Sequence, residues 1–189
     1  MMKKLLVALL AGAMVLGCVA CGGGNDTAKF EVANAQEVLT KVWDTYKDDE
    51  KFFAMGGDFV EPVDGAPGTF DLLYAEDLEY VYCIPAEAIA MVDDAATIMH
   101  AMNTNSFTAA AYHVADPANV QAIIDGVKEK TMNNQWMCGF PDVLVIVTIG
   151  DEYIVTAYGV EDIMANFQAK LLNVYGDAAT VVVEQSLTE

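Results

Sequence analysis

The sequence predicts an α+β domain whose C-terminal half is a ferredoxin-like split βαβ sandwich. From Phe107 onward the hydrophobic patterns give the order strand, helix, strand, strand, helix, strand, which is the order of that fold. Residues 142–149 are almost continuously apolar, as expected of a strand that is buried on both faces. Gly150-Asp151-Glu152 then forms a tight link to a return strand. We therefore expect a four-stranded antiparallel sheet with both helices on one face and with N-terminal helices ahead of it.

Three helices are predicted ahead of this sheet. The first begins at Asn34, because apolar residues recur after it at helical spacing and because Glu37 follows three residues later, as in a capping box. Residues 52–69 carry glycine pairs and prolines and are predicted to be a loop. A second short helix is predicted over 71–82, and a third, rich in alanine and methionine, over 86–102. These helices are expected to cover the other face or an edge of the sheet.

The elements of the sheet follow in turn along the chain. Asp116 and Pro117 open a helix, because aspartate is a favoured cap and proline suits the first turn. Gly176 ends the last helix. The predicted strands cover residues 107–114, 142–149, 153–158 and 179–185, and the predicted helices cover 116–134 and 160–175.

The first 21 residues are typical of a lipoprotein export signal. Lys3 and Lys4 precede an apolar stretch that is short for a membrane helix, and small residues lead to a cysteine. Cys21 opens into three glycines and a polar tether, which favours it as the lipidated residue. Cys18 is the alternative, because it has an aliphatic residue three positions before it. A secretory signal without lipid is the other interpretation. The expected organisation is a signal with its anchor cysteine at 1–21, a tether at 22–28 and one globular domain at 29–189, on the outer face of the cell membrane.

The charge of the chain is strongly one-sided. Nine lysines stand against 28 acidic residues, the net charge is −19, and there is no arginine. Such a surface repels nucleic acid and anionic headgroups, so we expect no nucleic-acid partner and contact with the membrane only through the lipid anchor. Cations are electrostatically favoured partners, although a solvated acidic surface that maintains solubility is the simpler interpretation.

The chain has few cysteine and histidine residues, the types that most often serve as nucleophiles or metal ligands. Cys83 and Cys138 form a possible disulfide, and the alternative is that both are small free thiols. With His100 and His113 they have the right ligand types for zinc but not its usual close spacing. Asp93 and His113 would suit a hydrolase, but neither a nucleophile elbow nor a phosphate loop accompanies them. The sequence therefore assigns no catalytic residue, metal ligand or cofactor.

Acidic doublets and methionines recur along the chain. We interpret the acidic groups as solvated helix ends and turns, because none has the alternating spacing of a calcium loop. They are Asp48-Asp49-Glu50, Glu76-Asp77, Asp93-Asp94, Asp151-Glu152 and Glu161-Asp162. Methionines usually fill cores but also form adaptable binding surfaces. The methionines to which either use could apply are Met91, Met99, Met102, Met132 and Met137. The aromatic residues Trp136, Phe140 and Tyr112 fit either a pocket or the core.

Several segments resemble one family of small lipoproteins from Gram-positive gut anaerobes, a family defined by a domain of unknown function. The resemblance lies in the Cys21-Gly22-Gly23-Gly24 start, in residues 75–82 and 109–114, in the helix over 116–134 and in the hairpin over 142–158 with its following helix. It covers roughly residues 74–167. It implies a single exported domain in a Gram-positive envelope and transfers no site residue to this chain.

These features favour a lipid-anchored binding or interaction module outside the cytoplasm. Its partner would be an envelope protein or a small ligand, because the chain combines an export signal and one α+β domain with no recognisable catalytic motif. Two alternatives come from the acidic residues. One is a hydrolase of envelope or gut polymers that uses carboxyl groups as acid and base. The other is a binder of divalent cations.

Overall fold

An eight-stranded antiparallel sheet runs through residues 31–188, the part of the chain that the structure, a computed structural model, describes. The strands are β1 (Ala54–Gly56), β2 (Val63–Asp64), β3 (Gly68–Thr69), β4 (Val92–His100), β5 (Phe107–Val114), β6 (Val143–Ile149), β7 (Tyr153–Gly159) and β8 (Ala179–Ser186). Their order in space is β2-β1-β4-β5-β7-β6-β8, and β3 pairs with β4 beyond the end of β1. Every pairing is antiparallel.

Helices lie on both faces of this sheet. The α-helices are α1 (Ala35–Trp43), α2 (Ala75–Val81), α3 (Ala86–Ile89), α4 (Val120–Met132) and α5 (Glu161–Tyr175). Short 3₁₀ turns occupy Leu72–Tyr74, Thr104–Ser106, Pro117–Asn119 and Gly176–Ala178. Helices α1 and α5 pack on one face and form the first core, and α2, α3 and α4 pack on the other and form the second core. The domain therefore has three layers, helix, sheet and helix.

Alternation along the central strands divides the side chains between the two cores. In β5, Phe107, Ala109 and Ala111 point into the first core, whereas Ala110 and Tyr112 point into the second. A strand that is covered on both faces needs apolar residues at every position, which explains the continuous apolar runs in β5 and β6.

Local signals place the first helix where the sequence predicts it. The Asn34 side chain accepts a hydrogen bond from the Glu37 N–H at 2.8 Å and so caps α1. The Glu37 carboxylate accepts from the N–H of Ala33, one residue before the cap residue that a standard capping box uses. Buried Val38 and Leu39 then anchor α1 to the sheet.

The prediction of a helix over residues 86–102 is wrong. Only Ala86–Ile89 is helical, and Val92–His100 is the long strand β4 between β1 and β5. Alanine favours helices in isolation, but here Ala96 lies in the first core, where its small side chain lets α1 approach the sheet. Tertiary packing thus overrides the local preference. The loop predicted over 52–69 contains three short strands that pair with each other and with β4.

The predicted ferredoxin-like topology is wrong, although the α+β class is confirmed. Strand β7 does lie between β5 and β6, but the last strand, β8, pairs with β6, whereas a ferredoxin-like sheet would place it beside β5. The position beside β5 is occupied by β4, a strand that lies within the segment predicted to be a helix. The two helices also lie on opposite faces, because α4 packs in the second core and α5 in the first.

Strand β8 contains a β-bulge that moves its side chains from one core to the other. Val181 pairs with Val147, and Val183 pairs with Ile146, so Val182 is an extra residue between them. Val181 packs against the first core and Val183 against the second, although residues two apart normally share a face. Val182 itself is exposed.

The predicted signal, the tether and the lipidation cysteines Cys18 and Cys21 lie outside the described residues. Within residues 31–188, no helix combines the length and the apolar character needed to cross a membrane.

Candidate functional site

The backbone passes very close to itself where Gly56 meets Gly68, and we call this contact the glycine crossing; it shapes the loop beside the start of β4. A Cβ atom on Gly56 would lie 2.4 Å from the backbone oxygen of Ala66 and 2.4 Å from the backbone nitrogen of Gly68. Only glycine allows this close approach, which brings β1 and β3 end to end along the same edge of β4. Thr97 Oγ1 donates to the Gly57 carbonyl at 2.8 Å and fixes the crossing. The segment between the two strands therefore projects beside the sheet and forms one wall of a cleft.

This cleft has a volume of about 660 Å³ and an acidic lining. The lining residues are Gln36, Asp58, Glu61, Val63, Thr69, Phe70, Asp71, Leu72, Asp93 and Asp94. Half of them carry a carboxylate and none carries a positive charge. We call this feature the acidic cleft, and the end of the sheet where it lies the cleft end.

Asp58 is a buried carboxylate at the base of the projecting segment. It is only 7% exposed, and its Oδ1 accepts hydrogen bonds from the N–H groups of Val60 and Glu61, each at 2.8 Å. The Glu61 N–H is the main reason that the pKa of Asp58 lies below its ordinary value, and burial opposes this effect only in part. Asp58 is therefore an ionised acceptor, which is unsuited to donating a proton near neutral pH.

A β-bulge at the start of β4 aims two further carboxylates in different directions. Val92 pairs with Val114 and Asp94 with His113, so Asp93 is the extra residue. The Asp94 carboxylate accepts from the first helical N–H of α1 at 2.6 Å, and Asp93 Oδ1 lies 2.5 Å from His113 Nδ1. Both carboxylates line the acidic cleft, so the bulge joins the cleft to α1 and to β5.

His113 lies in an acidic environment at the edge of the cleft. Its Nε2 is 3.9 Å from Glu152, and its ring packs against Tyr153 with the centroids 4.9 Å apart. The pKa of Tyr153 is raised, first by burial and then by the charges of Asp94, Glu152, Asp93 and Glu37. The negative potential of the cleft therefore extends to the start of β7.

This arrangement of carboxylates can attract positive charge. The carboxylates come from three separate segments, and Asp58, Asp71 and Asp94 already accept backbone N–H groups. Across residues 31–188, no three His, Cys, Asp or Glu side chains are grouped so that they could hold a metal ion. An ammonium group needs only nearby carboxylate oxygens and tolerates such a loose arrangement better than a divalent ion does.

The structure brings only some of the sequence candidates together. Asp93 and His113 are in contact, whereas His100 lies at the opposite end of β4, where its ring stacks on Phe52. Cys83 is buried and Cys138 is exposed, and both are free thiols. The possible disulfide is therefore not formed in this structure, and pairing of the two cysteines stays a prediction.

Sequence reasoning missed most of the acidic cleft. The segment predicted to be a loop, residues 52–69, contains Asp58 and Glu61 and is followed shortly by Asp71. The approach of these residues to Asp94 depends on the glycine crossing. The closely spaced glycines at 56, 57, 65 and 68 were the available signal, because such a series marks a tight backbone crossing.

Comparison with known proteins gives no identification. No protein family model, curated protein or solved structure matches this chain. The resemblance to small lipoproteins of Gram-positive gut anaerobes therefore stays a prediction.

Proposed function

We propose that this protein is a binding module on the outer face of the cell membrane, anchored through Cys21 or Cys18, that takes a small organic cation in the acidic cleft. One observation carries the ligand class: five carboxylates and no positive charge line the cleft. The export-signal pattern of the first 21 residues supports the location.

The size of the cleft supports a ligand larger than a single ion. Its volume of about 660 Å³ falls in the range of small-molecule sites. A linear polyamine, or a ligand with two or more ammonium groups, can place separate charges beside Glu61 and beside Asp93, which come from different walls. Val63 and Leu72 supply apolar surface for the methylene groups between the charges.

The position of the tether supports presentation of the cleft near the membrane. The described chain enters α1 at Ala35, and this residue is held by Asp94, which also lines the cleft. The segment predicted to lead from the anchor cysteine would therefore join the domain at its cleft end.

The test is calorimetric titration with spermidine, using the chain from Gly22 to Glu189, which includes all the described contacts. We expect Glu61→Gln and Asp93→Asn each to weaken binding about two- to fivefold, because an exposed ion pair contributes about 0.2–1 kcal/mol. Glu87→Gln makes the same change of charge on α3 and is the matched control, with binding expected within twofold of the unchanged protein.

The outcomes separate this proposal from its alternatives. Equal loss of binding in the cleft variants and in the Glu87 control would mean that net charge alone attracts spermidine, and would refute a site in the cleft. Calcium stabilisation that spermidine does not compete with would favour the divalent-cation binder. Polymer hydrolysis that Asp93→Asn abolishes would favour the hydrolase, for which the ionised state of Asp58 offers no acid.

A further inference from the structure

A second surface lies at the opposite end of the sheet from the acidic cleft. Four large apolar side chains are exposed there, at loop tips rather than in the core. Phe53 is 62% exposed, Met102 80%, Met137 90% and Phe140 69%. Single exposed apolar residues are common, but four of this size at one end of a small domain indicate an interaction surface.

Hydrogen bonds bring together the loop segments that carry these four residues. The N–H of Ala101 donates to the Phe53 carbonyl at 2.8 Å, which places Phe53 beside Met102. The Asn105 side chain donates to the Gly139 carbonyl at 2.8 Å, which holds the loop of Met137 and Phe140 against the loop of Met102. We call Phe53, Met102, Met137 and Phe140 the apolar tip.

The apolar tip has a neutral centre and acidic flanks. The chain has no acidic residue between Asp94 and Asp116, nor between Glu129 and Asp142. On one side the tip is followed by Asp142, whose carboxylate accepts the Glu161 N–H at 3.0 Å and so links the start of α5, with Glu161 and Asp162, to the segment that follows Phe140. On the other side Asp48 and Asp49 shortly precede Phe53 in the sequence and are exposed.

Two of the lysines near this end make contacts within the domain. Lys130 pairs with Glu79 at 2.8 Å, and Lys51 lies over the ring of Trp43 at 5.5 Å from its centroid. Lys47 and Lys51 adjoin Asp48 and Asp49 in the sequence and offset their charge, so the acidic flank that a partner would meet is that of Asp142, Glu161 and Asp162. A partner that complements this surface has an apolar centre and positive charges on the side that faces Asp142.

We propose that the apolar tip is a docking site for a basic amphipathic helix. Two methionines give the tip an adaptable surface, because their unbranched side chains can rearrange around different apolar residues. A helix with one apolar face and flanking lysines would lay that face on Met102, Met137 and Phe140 and direct its charges to Asp142, Glu161 and Asp162. This site is separate from the acidic cleft and does not depend on it.

The test uses a 14-residue peptide of leucine and lysine arranged as an amphipathic helix. The control peptide has the same composition in an order that places leucine on all sides. We expect the chain from Gly22 to Glu189 to bind the amphipathic peptide at least about tenfold more tightly than the control, because only the former presents a continuous apolar face. Equal affinity for the two peptides would overturn the proposal, since charge alone would then explain binding.

Paired variants locate the site. Met137→Ser with Phe140→Ser should weaken peptide binding about tenfold or more, because two apolar anchors are lost. Leu73→Ser with Tyr80→Ser is the matched control, since these side chains are equally exposed on the α2 side of the domain, and it should bind within twofold of the unchanged protein. Unchanged folding of both pairs is checked by thermal unfolding.

Two further results would overturn the proposal. One is normal binding by the Met137 and Phe140 variant. The other is a dimer of the unchanged protein in sedimentation that this variant dissociates, because the tip would then bind a second copy of the chain. The cleft variant Glu61→Gln should bind the peptide normally, which keeps this test independent of the proposed cation site.

Discussion

Gly159→Ala is expected to destabilise the protein more than a glycine-to-alanine change at an open position, because the added Cβ atom would collide with the backbone of the neighbouring strand. Gly159 ends β7 beside Phe107, and a Cβ atom added there would lie 2.4 Å from the Ser106 carbonyl oxygen and 2.9 Å from the Phe107 Cα. Both neighbours are backbone atoms, so no side-chain rotation can relieve the contact. The strands would have to separate by about 1 Å to restore ordinary packing.

The cost follows from the hydrogen bonds at this position. The Gly159 carbonyl accepts from the Asp142 N–H at 2.8 Å, and the Ser106 carbonyl accepts from the Val160 N–H at 3.0 Å. Each bond contributes about 0.5–1.5 kcal/mol, and displacement of the strand also weakens the packing of Phe107. We expect a loss of about 2–4 kcal/mol in the free energy of unfolding, which corresponds to a fall of roughly 5–15 °C in Tm for a domain of this size.

Urea and thermal unfolding followed by circular dichroism measure this loss. Gly150→Ala is the matched control, because Gly150 has φ +58° but open space around it, so only the cost of a left-handed conformation, about 1 kcal/mol, applies. Gly150→Asn should recover most of that cost, since asparagine tolerates this conformation. A Tm for Gly159→Ala within about 2 °C of the unchanged protein would refute the steric argument.

Other predictions concern single side chains. Cys138 should react with a thiol reagent in the folded protein, whereas Cys83, whose thiol pKa is raised by burial to about 11, should react only on unfolding; equal rates would contradict its burial. Asp94→Ala removes the acceptor for the buried first N–H of α1 and should lower the free energy of unfolding by about 1–3 kcal/mol in urea titrations. Folding lowers the pKa of Asp58, so its carboxylate stabilises the fold above the pKa of the unfolded chain, near pH 4, and this stabilisation is lost as the pH falls further. In Asp58→Asn, the free energy of unfolding should therefore decrease less steeply on acidification, as measured by urea titrations at several pH values. Burial raises the pKa of Tyr112, so its contribution is present below about pH 10 and is lost above it; tyrosinate absorbance should rise together with alkaline unfolding, and ionisation of every tyrosine in the intact fold would contradict this.

The sequence predicts the elements that depend on local signals. Helix α1 begins at its asparagine cap, β5 covers Phe107–Val114 as predicted, and the hairpin of β6 and β7 turns at the predicted glycine. These elements have caps, turn residues or continuous apolar runs that act over a few positions. Their packing partners do not alter those signals.

Elements that depend on distant contacts were not predictable in the same way. Strand β4 contains Ala95, Ala96 and Met99, which favour helices, and its extended form is fixed by pairing with β1, β3 and β5. The misassigned β4 also led to the wrong position for β8. The acidic cleft was missed for a related reason, since its walls meet only when Gly56 crosses Gly68 beside Thr97.

The bulge at Val182 sets a limit on the size of the sheet. A regular eight-residue edge strand with three consecutive valines would be a template on which further strands, from other molecules, could add without end. The extra residue shifts the spacing of the free N–H and C=O groups, so an incoming straight strand can match one half of this edge but not both. At the other edge, β2 offers only two residues. Both borders therefore disfavour the addition of further strands, one through its bulge and the other through its shortness.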